Sequence, residues 1–176
     1  MTYHPETRSS LPVEEQIKRL LLALDRFPSA TMVFTGANAD TDGRIINEKM
    51  MEFCALAPQN RIFVQSLGRK RYWGMLSIAD AVIGNSSSGI MEAPLFGVPV
   101  VNIGRRQEGR LHDDLVADCP CKMDGVEAAV RHALSRGRLA DRRSKDFPAP
   151  AALMAEYLKT ATLSPAKRFH DIPWTE

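Results

Sequence analysis

Most of the side chains that could do chemistry at one place fall within residues 81–106, which read AVIGNSSSGIMEAPLFGVPVVNIGRR. Asn85-Ser86-Ser87-Ser88-Gly89 sets amide and hydroxyl groups, then a residue free to take positive φ, directly after the apolar run Ala81-Val82-Ile83-Gly84. Where a strand end meets a helix start, backbone N–H groups are unpaired and the helix dipole is positive. Such a junction favours an anion, and phosphate is the common biological choice. The serines add hydroxyl donors. Glu92 falls within the first turn or so of the helix expected over residues 90–96, where a carboxylate can accept two hydroxyl hydrogen bonds, as from a ribose diol. The plainer reading is a simple cap, because Ser and Asn are ordinary N-cap and turn residues.

Two further polar residues fall on the same expected edge. His4 follows Met1-Thr2-Tyr3, where an imidazole could hydrogen-bond phosphate or carry a proton. Asn38 follows the apolar run 31–35 and could donate and accept at once. Alone, each reads as a turn residue.

The elements that must position these groups alternate. Pro12 with Glu14 and Glu15 marks a helix start, and Val13, Ile17, Leu20, Leu21 and Leu24 recur at helical spacing. Residues 31–35 read as a strand. Thr41-Asp42-Gly43 opens a helix with Ile46, Met50, Phe53 and Ala57 on one face. Residues 61–64 read as the next strand, and the helix after Gly68 carries Tyr72, Met75, Leu76 and Ala79. Ala81 to Gly84 is short and uniformly apolar, as in a strand covered on both faces. Pro94 requires the helix over 90–96 to be short or to begin late, Gly97 caps it, and Val98-Pro99-Val100-Val101 is a buried strand ending at Asn102. The predicted fold is therefore α/β, a doubly wound parallel Rossmann-like sheet with right-handed crossovers, and ligands of such sheets bind at the carboxyl ends of the strands. Met1-Thr2-Tyr3 is a poor first strand, at about half the usual length, which leads us to expect a missing beginning.

Beyond Arg106 the pattern loosens. Residues 107–120 read as a mobile loop over the site, with a short strand at Leu115-Val116-Ala117. Asp124 to Glu127 has capping-box spacing, and Val126, Ala129, Val130 and Ala133 continue a helix ended by Gly137. A last helix spans residues 151–158, and the tail to Trp174 lacks a period. Residues 1–147 are expected to form the nucleotide-binding domain, with residues 148–176 as a helix and tail of the same domain.

Composition narrows the class. In 176 residues, a hydrophobic share of 44% and a charged share of 25% match one globular domain. A net charge of +2 argues against a nucleic-acid partner, and the arginine run 131–145 reads as a solvated helix face and loop. No run suits a bilayer or a signal peptide, which predicts no membrane partner and a cytoplasmic protein. Cys54, Cys119 and Cys121 fit free thiols, and Cys119-Pro120-Cys121 lacks the second pair that a metal site needs.

Gly84-Asn85-Ser86-Ser87-Ser88-Gly89-Ile90-Met91-Glu92-Ala93, then Phe96 to Gly104, Arg106-Gln107 and Gly109-Arg110, resembles the signature of the UDP-N-acetylglucosamine 2-epimerases. It is most similar to their hydrolysing branch. The non-hydrolysing branch carries a longer Ser-Asp-Ser-Gly-Gly type loop, which this chain lacks. Thr2-Tyr3-His4-Pro5 resembles the family's Thr-x-His, which implies that His4 faces the diphosphate. Asn38-Ala39-Asp40 is similar to an Asn-x-Asp segment near the nucleotide. Arg106 matches the arginine after the Asn-x-Gly strand end, and Arg105 is expected at the surface.

The resemblance implies a UDP site built from Asn38, Leu67, Ser86, Ser87, Ser88, Gly89, Glu92 and Arg106, with uracil meeting the main chain around Ser66-Leu67-Gly68. It implies the C-terminal half of a GT-B-like two-domain enzyme, with His4 as the catalytic residue of this half and the sugar-facing acid and base carboxylates coming mainly from the absent N-terminal domain. The implied chemistry is loss of UDP from UDP-N-acetylglucosamine across C1–C2, then hydration to N-acetylmannosamine, as in sialic-acid synthesis, with no metal or other cofactor. Dimerisation is a further expectation. Two other readings fit the local motif: the donor domain of a GT-B glycosyltransferase, and a non-catalytic sugar-nucleotide binding module.

Overall fold

The computed structural model describes residues 1–6, 9–38, 41–140 and 150–162. The chain divides into two compact units, Met1–Arg143 and Ser144–Glu176. In the second, the described element is the helix Pro150–Thr160.

The first unit opens on the segment 1–6, and helices and strands alternate from there as far as β4, which is followed directly by β5. Helix α1 (Val13–Leu24) follows Pro12, carries Glu14 and Glu15 in its first turn, and buries Ile17, Leu20, Leu21 and Leu24. Strand β1 (Met32–Thr35), helix α2 (Thr41–Ala55), strand β2 (Arg61–Val64) and helix α3 (Gly68–Ile78) follow. Ala57 lies beyond the end of α2, in the turn that leads to β2. Then come β3 (Val82–Gly84), the short helix α4 (Ser87–Met91), a 3-10 turn (Ala93–Phe96), β4 (Val100–Ile103), β5 (Val116–Cys119) and α5 (Met123–Arg136).

Every strand pair is parallel. β1 lies beside β2, with Val33 opposite Ile62, and β4 lies between β3 and β5, with Val101 opposite Ile83 and Ala117. The opening segment joins these two ladders. Thr2 forms parallel bridges to Thr35 and to Gly84, donates its N–H to the Ile83 carbonyl at 3.1 Å, and accepts from the Asn85 N–H at 3.1 Å. The lateral order is therefore β2, β1, the Thr2 segment, β3, β4, β5, the order of a doubly wound dinucleotide-type sheet. The poorest strand by composition occupies the centre, and its hydrogen bonds come from the neighbours on both sides.

Both faces of the sheet are covered. On β4, Val101 and Ile103 join a core with α1, α2 and α5 residues such as Ile17, Leu20, Ile46, Met50, Val126 and Val130. Val100 points into a second core with Leu76, Ile90, Ala93, Phe96, Val98 and Val116. This two-sided burial explains why Val98, Val100, Val101 and Ile103 are all apolar, with Asn102 a buried polar residue at the carboxyl end. Val82 and Ile83 of β3 are only half-buried.

Several boundaries differ from the sequence expectation, β5 among them, at Val116–Cys119 instead of residues 115–117. The helix after β3 starts at Ser87, not at residue 90, and Pro94 belongs to the separate 3-10 turn. Strand β4 starts at Val100, so Asn102 lies within it. Helix α5 starts at Met123, with Lys122 in the cap position and Asp124 already in the first turn, so Asp124 does not head a capping box. Arg138 also departs from the solvated face expected of residues 131–145. It is half-buried and donates to the carbonyls of Leu76 (2.9 Å), Ala79 (2.5 Å) and Phe96 (3.2 Å). It thus caps the end of α3, whose last carbonyls have no helical partner.

Candidate functional site

The site is assembled on a fully buried amide. Asn85 follows β3 and is 0% exposed. Its Oδ1 accepts from the His4 backbone N–H at 2.7 Å, and its Nδ2 donates to the His4 carbonyl at 2.8 Å. One side chain thereby satisfies both polar groups of a residue 81 positions away, as a buried amide must to avoid a desolvation penalty. His4 in turn accepts at Nδ1 from the Asn38 N–H at 3.3 Å. The Asn85 carbonyl accepts from Arg106 Nη1 at 3.1 Å and from Gln107 Nε2 at 2.8 Å. His4, Asn38, the serine loop and Arg106 therefore converge at the carboxyl edge of the sheet. Ala39 and Asp40, the rest of the Asn-x-Asp segment, lie outside the described residues.

The serine loop is itself the opening of α4. Ser86 caps the helix in extended conformation, Ser87 is its first residue, and Gly89 is buried within it. A Cβ on Gly89 would come 3.3 Å from Val100 Cγ1, so glycine lets α4 lie close against β4. Gly84 has a stricter role. Its φ is +136°, and a Cβ there would stand 1.8 Å from the Thr2 carbonyl oxygen. The residue lets the opening segment and the serine loop meet.

The loop hydroxyls form a chain. Ser86 Oγ and Ser88 Oγ lie 3.0 Å apart, and Tyr72 of α3 donates its phenol to Ser88 Oγ at 3.0 Å. Burial raises the Tyr72 pKa, and the nearby Glu92 carboxylate adds to the rise against the opposing Ser88 hydrogen bond. The phenol therefore stays a proton donor at neutral pH.

Because α4 starts early, Glu92 is not in its first turn. It is the C-terminal cap of α4 and stands at the head of the 3-10 turn, half-buried. Its Oε2 accepts from the Trp73 indole N–H at 2.6 Å.

The remaining predicted residues are more dispersed. Leu67 caps the start of α3 at the carboxyl end of β2, half-buried, on the far side of β1 and the Thr2 segment from β3. Arg105 is at the surface as expected, pairing with Glu108 at 2.9 Å, while its backbone N–H donates to Glu6 Oε1 at 2.9 Å. Arg110 reaches back to Met91 Sδ at 3.9 Å. Asn85, Gln107, Tyr72 and Trp73 were not singled out as site residues by the sequence reading. Asn85 and Gln107 sit inside the motif that carries the resemblance. Tyr72 and Trp73 come from a different element and carried no local signal.

Among the described residues, no three His, Cys, Asp or Glu side chains stand close enough to hold a metal ion. The three cysteines are free thiols. Burial, with Cys121 and Asp118 close by, pushes the Cys119 thiol up to about 12. No described helix is long and apolar enough to cross a membrane.

Comparison with known proteins supplies the family. The profile described as UDP-N-acetylglucosamine 2-epimerase matches residues 1–152. A "GDP/UDP-N,N'-diacetylbacillosamine 2-epimerase (hydrolyzing)" from Campylobacter jejuni is 42% identical over 118 residues, 67% of this chain and 31% of that protein. "Polysialic acid biosynthesis protein P7" from Escherichia coli is 35% identical over 131 residues, 74% of this chain and 33% of that protein. The chain thus spans about a third of the length of these curated relatives. Among solved structures, the S. aureus MnaA–UDP co-structure matches with a TM-score of 0.63 at 18% identity, covering 96% of this chain and 47% of that one. That likeness extends the agreement to the fold, which is the Rossmann-like arrangement described above. The profile match over most of the sequence, with these relatives, establishes that the chain belongs to the UDP-N-acetylglucosamine 2-epimerase family.

Proposed function

We propose that this chain is the nucleotide-binding part of a hydrolysing 2-epimerase that turns UDP-N-acetylglucosamine and water into N-acetylmannosamine and UDP. The observation that carries this reading is the convergence of His4, the serine loop and Arg106 on Asn85. It clusters N–H, hydroxyl and guanidinium donors at the sheet edge where such folds bind ligands. The C. jejuni relative is named as hydrolysing, and the S. aureus neighbour was solved with UDP. Both names support the assignment.

In this reading the diphosphate lies against the backbone and hydroxyls of Ser86, Ser87, Ser88 and Gly89, with His4 and Arg106 facing it. Glu92 takes the ribose diol. Asn38 lies near the nucleotide, and uracil meets the main chain around Leu67. In the first step, a base removes the C2 proton of the sugar while the C1–O bond to UDP breaks, leaving a 2-acetamidoglucal. Water then adds across the double bond with inverted configuration at C2. Negative charge grows on the departing UDP oxygen, and donors fixed in advance at that position stabilise it more in the transition state than in the ground state. The acid and base for the sugar come from sequence outside this chain, which covers about a third of its relatives.

The name of the C. jejuni relative favours a second choice of sugar, a diacetylated bacillosamine in place of N-acetylglucosamine. The proposed nucleotide contacts are common to both sugars. The expectation for this chain alone is UDP binding by calorimetry without release of N-acetylmannosamine from UDP-N-acetylglucosamine. Robust turnover would overturn the assignment of the sugar chemistry to another segment. In a longer protein containing this chain, reaction in heavy water should place deuterium at C2 of the product. Retained protium would contradict elimination.

A further inference from the structure

We propose that Trp73 is a positioning residue that sets the selectivity of this site for a ribose diol, and this rests on the assignment of Glu92 to the ribose. The indole N–H donates to Glu92 Oε2 at 2.6 Å, a short charge-assisted bond. An ionised carboxylate has about four lone-pair directions, so one oxygen can be held by the indole while Oε1 stays available to two vicinal hydroxyls. A carboxylate on an unrestrained Glu side chain would lose rotamer freedom on binding. Here that freedom is already restricted before a ligand arrives.

The indole is 41% exposed and is braced by two contacts. Its ring meets Phe96 edge-on at 6.0 Å between centroids and lies 5.5 Å beneath the Arg69 guanidinium. The Glu92 main chain is fixed as well, its N–H donating to the Ser88 carbonyl at 2.9 Å and its carbonyl accepting from Leu95 at 3.0 Å. Both ends of the Trp73–Glu92 bond therefore belong to rigid elements.

The placement of Trp73 in α3 gives the bond its function. The same helix begins at Gly68, beside the main chain assigned to the base, and Trp73 follows five residues later, about 7.5 Å along the axis. One turn of α3 also holds the serine loop through Tyr72 and Ser88. A single helix thus sets the separation between the base contact, the ribose carboxylate and the phosphate hydroxyls. A nucleotide lacking the diol would keep the base and phosphate contacts and leave the pre-aligned Glu92 without a partner.

The test compares UDP with 2′,3′-dideoxy-UDP by calorimetry on the 176-residue chain, using wild type, Trp73→Phe and Glu92→Gln. Trp73→Phe removes the donor and keeps an aromatic ring beside Phe96. It should cut the preference for UDP over the dideoxy compound about tenfold, the scale of one hydrogen bond to a charged group, and leave dideoxy-UDP affinity and melting temperature nearly unchanged. A purely structural tryptophan would weaken both ligands equally, and full retention of the preference in Trp73→Phe overturns the proposal. If wild type and Glu92→Gln show the same lack of preference, the ribose assignment of Glu92 falls and this inference with it. If only Glu92→Gln loses the preference, the ribose assignment stands and the role of Trp73 falls alone. Should Trp73→Phe fail to fold, the indole N–H resonance of the unaltered protein, assigned with Trp174→Phe, decides the matter. It should shift with UDP and not with dideoxy-UDP, and equal shifts overturn the proposal.

Discussion

Asn85 and His4 are joined twice, by an acceptor at 2.7 Å and a donor at 2.8 Å, so that the side chain of one serves as the strand partner of the other's main chain. The pair ties the opening segment to the serine loop across the centre of the sheet. Because the Asn85 carbonyl also accepts from Arg106 and Gln107, one residue registers three separate parts of the candidate site.

Replacing Asn85 with Ala should therefore affect stability and binding together. Both His4 main-chain groups lose their Asn85 partner at a half-buried position, at a cost of about 2 kcal/mol. Urea unfolding should show the lower midpoint with an unchanged slope, and calorimetry should show weaker UDP binding. Unchanged stability would mean that water replaces the amide.

Gly84→Ala should be worse than any loss of a single hydrogen bond. The new Cβ meets the Thr2 carbonyl at 1.8 Å with φ at +136°, and only separation of the Thr2 segment from β3 could relieve the clash. A loss of more than about 3 kcal/mol, or failure to fold, is expected. A thermal melt within a few degrees of wild type would contradict the central placement of Thr2.

Tyr72→Phe isolates the hydroxyl chain. The phenol donates to Ser88 Oγ at 3.0 Å, and its removal frees that serine to rotate. UDP affinity should fall by a few-fold to tenfold, with little change in melting temperature, since the ring itself is retained. An unaltered affinity would show that Ser88 orients without help.

Stability should also decline at high pH. Burial pushes the Cys119 thiol up to about 12, whereas the unfolded thiol titrates near its ordinary value of 9.0. Above that ordinary value the unfolded chain releases a proton that the folded chain retains, so the favourable contribution is complete below pH 9 and is lost as pH rises toward 12. Cys119→Ala should flatten this part of the stability profile, measured by urea unfolding at pH 8 and pH 10. Identical slopes for the two proteins would assign the decline to other groups.

The alternation of elements was legible because most strands are short and largely apolar and the long helices carry apolar faces. The strand positions of β1 and β2, the span of α1 and the cap at Gly97 all follow from such local rules. What local rules missed depends on packing. Helix α4 begins at Ser87, and Gly89 within it fits against Val100, a contact that no local pattern encodes. Glu92 consequently sits at the end of α4, and its partner Trp73 is 19 residues away on a helix read only for its apolar face. Thr2 looked too weak for a strand because its partners, Thr35 and Gly84, are contributed by distant segments. Arg138 looked like part of a charged run and instead closes the end of α3.

Phosphate and ribose binding by the residues from Ser86 to Glu92 is tested most directly by calorimetric titration of UDP into wild type and the double variant Ser87→Ala/Glu92→Ala, both checked for cooperative melting. The wild-type chain should give a saturable isotherm, and the folded double variant should lose at least about a hundredfold in affinity, consistent with two hydrogen-bonding groups removed at once. Equal UDP affinity in the two proteins would contradict the placement of the nucleotide at this loop.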